Sequence, residues 1–306
     1  MAKRPAWRQI CLVLVVGTLG TVLMRHDTLE LRAEDRVAAS GKAAIDPVRY
    51  RHAVAHLASE EMEGRRVGTP GGRRAIEYIR ATFAGIGLQP RRNGRYLQPY
   101  DHDYKGTARA ANVIGIVPGN DPILKRQAVI VTAHFDHLGR NRDNGCPEGK
   151  RGNCIKYGAN DNATGVAALF ELAHAFMAVG RKLKRTVVFV AFDGEECGCT
   201  GSNHYVFRDP DFPPRQTVLA VNIDQIGRGG RLQTHKIDKE TGFGEDCDVD
   251  GEVFARRGMR AVSFVGKNNN YHQCTDTVDT IDFGKAIETV HRAFDVAWAA
   301  AQGPAE

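Results

Sequence analysis

Five near-continuous apolar runs punctuate the chain: ANVIGIV at 111–117, AVIVTA at 128–133, TVVFVAF at 186–192, TVLAVNI at 217–223 and AVSFV at 261–265. Runs that do not alternate with polar residues read as strands buried on both faces, as in a sheet covered by helices. Segments with helical spacing surround them. DPVRYRHAVAHLAS, from residue 46, opens on Asp46 as N-cap with Pro47 behind it. A second helix is expected from about Arg73 to Ala84, stopped by Gly85 and Gly87. NATGVAALFELAHAFMAV at 162–179 and FGKAIETVHRAFDVAWAAA at 283–301 complete the set. The alternation predicts a single α/β domain over 46–300, built in three layers, helix–sheet–helix.

The first 45 residues have a different character. A basic start carrying Lys3, Arg4 and Arg8 precedes an apolar run from Ile10 to Met24. Such a pattern marks residues 1–25 as a signal peptide or membrane anchor, and the polar, Ala-rich stretch 26–45 as a flexible tether. Export follows, to the periplasm or beyond. The formal charge of +6 is partly local, because four of its positive charges lie in residues 1–25, where no acid offsets them. The remainder offers no concentrated basic face, which argues against a nucleic-acid partner. Six cysteines lie beyond the apolar run, an even number that suits disulfides in an exported chain. Cys146 and Cys154 bracket a polar loop and form the first expected pair, Cys247 with Cys274 the second.

Polar residues follow the apolar runs at their carboxyl ends. AVIVTA leads into His134, Phe135, Asp136 and His137; TVVFVAF into Asp193, Gly194, Glu195 and Glu196; TVLAVNI into Asp224. AVSFV leads through a Gly- and Asn-rich loop to Tyr271 and His272, and Asp161 stands where GANDNATG enters a helix. Ligands of open α/β sheets bind outside the carboxyl ends of the strands. Two imidazoles and several carboxylates gathered on one rim are a zinc-type donor set. Taken singly, His134 reads as a loop residue, Asp161 as an N-cap and Asp224 as a turn acid. His52, His56, His174 and His291 lie on helical patterns and read as structural.

The segments LASEEMEGRRVGTPGG, NVIGIVPG, HFDHLG, GANDNATG, FDGEECGCTGS, NIDQIGR and YHQCTDTVDTID, in that order, carry a family resemblance. The chain resembles the di-zinc exopeptidases: secreted bacterial aminopeptidases, glutamate carboxypeptidases, the transferrin receptor and glutaminyl cyclases. The resemblance implies a mixed, mainly parallel sheet between helices, the zinc exopeptidase (phosphorylase/hydrolase-like) fold. It implies two zinc ions per chain: one on His134 and Asp224, the other on Glu196 and His272, with Asp161 bridging. It makes Glu195 the general base, Asp136 the residue orienting His134, and Tyr271 a hydrogen-bond donor to the substrate oxygen. His137 is left as a loop residue. The implied activity is removal of N-terminal residues from a peptide substrate. Glutaminyl cyclase chemistry, or a non-catalytic binding protein on the same scaffold, is the alternative. Cys199 stands where the family commonly has Leu, which fits a local disulfide or a core substitution.

Overall fold

The computed structural model describes residues 33–102, 108–140, 154–235 and 247–303. Residues 1–25, expected to form a signal or anchor, lie outside these, as do Cys146 and most of the loop it belongs to. Residues 33–43 are helical rather than a loose tether, and are named α1 here. Lys42 pairs with Asp295 at 2.7 Å and Glu34 with Lys184 at 2.9 Å, which docks α1 on the body of the domain.

Among the described residues six further helices and seven strands follow in chain order. After α1 come α2 (Pro47–Leu57), α3 (Pro70–Ile86), β1 (Leu97–His102), β2 (Ala108–Val117) and β3 (Ala128–His134). Then come α4 (Thr164–Val179), β4 (Thr186–Phe192), α5 (Thr200–Phe207) and β5 (Thr217–Asp224). The chain closes with β6 (Gly230–Thr234), α6 (Asp250–Arg256), β7 (Ala261–Gly266) and α7 (Phe283–Gln302). Asp46 caps α2 as expected, its side chain accepting from the amides of Val48 and Arg49.

Helix α3 begins three residues before its periodicity suggests, at Thr69-Pro70. Its first turn rests on backbone: a Cβ at Gly71 would lie 2.1 Å from the Met62 carbonyl oxygen, and one at Gly72 2.3 Å from that of Arg66. These glycines read as a turn in sequence but serve close approach.

The strands form one sheet in the order β1-β2-β4-β3-β5-β7-β6. The central four, β4-β3-β5-β7, are parallel, while β1 and β2 on one side and β6 on the other pair antiparallel. The sheet is therefore mixed, and helices cover both faces. Val129, Val131, Val187, Phe189, Val221 and Ile223 point to the layer of α2, α3, α4 and α7. Their neighbours Ile130, Val188, Val190 and Ala220 point to the layer of α5 and α6. Burial on both faces is why these strands carry unbroken apolar runs. Helix α4 is apolar enough to cross a membrane by composition, but it is mostly buried inside the domain. The two edge strands have no such run. β1 alternates and contains Pro99, and four of the five β6 residues are exposed.

The disulfides differ from the expected pairs. Cys154 is bonded to Cys274 and Cys199 to Cys247. Both bonds join segments far apart in sequence, by 120 and 48 residues, which loop spacing does not report. Among the described residues Cys197 is free.

Candidate metal centre

The sheet register sets the geometry. His134 at the end of β3 lies level with Phe192 of β4, so the loop bearing Glu195 and Glu196 leaves the sheet beside it. On the other flank Thr132 pairs with Asn222, which brings Asp224 level with His134. The loop after β7 delivers Tyr271 and His272 to the same rim, and the turn before α4 delivers Asp161.

Two groups of side chains result. In the first, His134 Nε2 lies 3.3 Å from Asp224 Oδ1, 3.3 Å from Asp161 Oδ1 and 3.9 Å from Glu195 Oε2. In the second, His272 Nε2 lies 2.9 Å from Glu196 Oε2 and 3.6 Å from Asp161 Oδ2. The two oxygens of Asp161 thus face different imidazoles. His134, Asp161 and Asp224 are buried.

These residues fit zinc. Asp161 Oδ2 and His272 Nε2 are buried atoms that make no hydrogen bond. Four carboxylates, Asp161, Glu195, Glu196 and Asp224, crowd one rim, a cost that a cation removes. Donors about 2.0–2.2 Å from one tetrahedral ion lie roughly 3.3–3.6 Å from each other. The separations within both groups bracket that range.

The electrostatics follow from burial and crowding. Burial, reinforced by Asp224, Asp250 and Glu196, pushes the Glu195 carboxyl well above the ordinary range, with His134 opposing. Burial pushes Glu196 the same way, but the close His137 and His272 imidazoles outweigh it and hold Glu196 well below the usual range. Burial disfavours a charged His134, yet Glu195 and the aspartates around it raise its pKa well above normal.

Asp136 has nearer partners than the His134 ring. Its Oδ1 accepts the Glu195 amide at 3.0 Å and its Oδ2 the Glu196 amide at 3.3 Å. His134 Nδ1 is 3.7 Å from Asp136 Oδ1 and 3.2 Å from the Asp136 backbone oxygen. Tyr271 is half-exposed, its ring stacked on His272 with centroids 3.7 Å apart. It lines a cleft of about 560 Å³ that also exposes Glu195, Glu196, Asp224 and His272, with Gln225, Gln233 and Val249 on the walls.

Several residues at the site were not assigned from sequence. His137, read as a loop residue, is buried in the second group, with Nδ1 2.6 Å from Glu196 Oε1. Asp276 accepts the amides of Asn160 and Asp161 at 2.9 and 3.0 Å and so holds the Asp161 turn. Arg65 is fully buried and donates to the carbonyls of Phe135, Tyr157 and Gly158 at 2.7–2.9 Å. It ties the loop after β3 to the segment before Asp161. Burial pushes its guanidinium down to about 10, against the opposing pull of Asp161, Asp276 and Asp136. Arg65 and Asp276 both lie in segments that carry the family resemblance, the one available signal.

Comparison with known proteins agrees with this fold. The model of peptidase family M28 matches residues 112–245, a span that holds His134, Asp136, Asp161, Glu195, Glu196 and Asp224. The alkaline phosphatase isozyme conversion protein of Escherichia coli is 28% identical over 69% of this chain and 61% of its own length. Aminopeptidase YwaD of Bacillus subtilis is 26% identical over 43% of this chain and 26% of its own length. The chain thus spans about three fifths of the first relative and a quarter of the second. Among solved structures, an aminopeptidase from Aneurinibacillus sp. strain AM-1 superimposes with a TM-score of 0.65 at 16% identity, covering 88% of this chain and 98% of that one. Solved zinc exopeptidases and glutaminyl cyclases share the same fold.

Proposed function

We propose that this relative of the M28 peptidases is a zinc-dependent exopeptidase that removes N-terminal residues from peptides. The observation that carries the reading is Asp161, whose two oxygens are turned toward the imidazoles of His134 and His272. His134 and Asp224 would hold one zinc ion, Glu196 and His272 a second, and Asp161 would bridge them. Zinc bound there supplies Lewis acidity and brings the pKa of water toward neutrality.

The chain's own residues do the rest. Glu195 takes a proton from the attacking water and returns one to the departing amine as the C–N bond breaks. Asp136 holds the Glu195 backbone so that its carboxylate faces the cleft. The Tyr271 phenol donates a hydrogen bond to the carbonyl oxygen as negative charge grows there. Burial and the carboxylates around it push its pKa up, so it stays a donor at neutral pH. Two disulfides suit an oxidising compartment, and with the apolar run at Ile10–Met24 they support an exported enzyme.

The test is a panel of aminoacyl chromogenic substrates and glutaminyl peptides, assayed with zinc and after chelation. Release of a free amino acid, two bound zinc ions, and loss of activity on chelation that added zinc reverses are expected. Full activity without metal would overturn the reading. Ring closure of N-terminal Gln without release of a free amino acid would turn it to cyclase chemistry.

A further inference from the structure

We propose that His137 is a positioning residue for Glu196, donating Nδ1–H to one carboxylate oxygen so that the other is presented to the metal. This rests on the zinc reading above. Glu196 Oε1 meets His137 Nδ1 at 2.6 Å, while Oε2 faces His272 Nε2 at 2.9 Å. The carboxylate divides its oxygens between a supporting ring and the second group of donors. An ionised carboxylate can only accept, so the proton at this contact sits on His137 Nδ1. His137 Nε2 is buried with no hydrogen-bond partner, so a proton there would go unpaired and the neutral ring with its proton on Nδ1 fits the site.

The ring has no freedom to do otherwise. His137 is 1% exposed. A Cβ at Gly158 would fall 2.6 Å from its Cδ2, so backbone packs directly on the ring face or edge there. On another side the His272 ring approaches edge-on, centroids 5.6 Å apart. Glu196, by contrast, has three rotatable side-chain torsions, and a held Oε1 removes much of that freedom before metal arrives. Partners of this kind, one bond removed from the metal, typically change metal affinity 10–100-fold when lost.

The experiment is zinc titration of the full chain against a competing chelator, for the wild type, His137→Leu and His137→Asn, with zinc content measured directly. The expected result is two ions in the wild type. In His137→Leu one site should keep its affinity and the other weaken 10–100-fold. His137→Asn, whose side-chain amide can donate from near the Nδ1 position, should stay within a few-fold of the wild type. Unchanged affinities in His137→Leu overturn the proposal, and so does an Asn variant as weak as Leu, since the ring itself would then be needed. Should the Leu variant not fold, nitrogen-detected NMR of the wild-type imidazole decides: the Nδ1–H tautomer supports the proposal and the Nε2–H tautomer overturns it. A wild type that binds no zinc overturns the functional reading; two tight sites untouched by His137→Leu overturn this inference alone.

Discussion

The carboxylate of Asp136 accepts the backbone amide of Glu195 at 3.0 Å, and its second oxygen takes the next amide, that of Glu196. One buried acid therefore sets where the two adjacent glutamates leave β4. Asp136→Asn keeps one acceptor but turns an N–H₂ donor toward an amide that also donates. We expect a 10- to 1,000-fold fall in kcat with the fold intact, and about 1–3 kcal/mol less stability from the unpaired buried group. Steady-state kinetics and urea unfolding check both.

Glu195 is assigned proton transfer rather than metal holding, although it lies 3.9 Å from His134. Glu195→Gln should cost about 10²–10⁴-fold in kcat and leave the zinc content at two. Loss of one zinc in that variant would move Glu195 to the ligand set.

The zinc-free protein should show an unusual pH dependence. Glu195 has a raised pKa and burial lifts Asp250 to about 7, so the native state binds protons there that the unfolded chain releases above about pH 4. Native proton uptake means stability falls as pH rises through that window. His134, also raised, contributes stability at low pH that is lost as pH climbs past its folded value. Glu196 acts oppositely, but its lowered pKa places its effect below the ordinary carboxylate range. The melting temperature of chelated protein should therefore drop between pH 5 and pH 8. With zinc present it should rise over the same interval, because the donors must shed protons to bind metal.

Arg65→Lys tests the scaffold. A lysine ammonium cannot span the four carbonyls that the guanidinium reaches, those of Leu57, Phe135, Tyr157 and Gly158. Leaving two buried carbonyls unpaired should cost about 3 kcal/mol or more, read by urea unfolding. The loops after β3 and before Asp161 should also exchange amide hydrogens faster.

Where an unbroken apolar run ends, the candidate site was legible: His134, Glu195, Glu196 and Asp224 each follow such a run in sequence. Each also lies at the rim in space. Edge strand β1 escaped because one of its faces meets solvent and its apolar pattern is weak, and β6 because four of its five residues are exposed. His137, Arg65 and Asp276 escaped for another reason. Their roles depend on partners 59, 93 and 115 residues away, and no local spacing carries that information. The cysteine pairing failed in the same way, since loop proximity favoured Cys146 while Cys154 is closed by Cys274.

The bond between Cys154 and Cys274 bears on how the candidate metal centre is assembled. Cys154 lies seven residues before Asp161 and Cys274 two residues after His272, so one crosslink pins two of the segments that build the second group. Lys156, reaching the His272 carbonyl at 2.8 Å, spans the same gap without covalent help. With reduced thiols the two segments are joined by hydrogen bonds alone, this one and those of Asp276 with the amides of Asn160 and Asp161. Closing Cys154 on Cys274 is therefore an oxidative step that fixes the Asp161 and His272 segments against one another covalently.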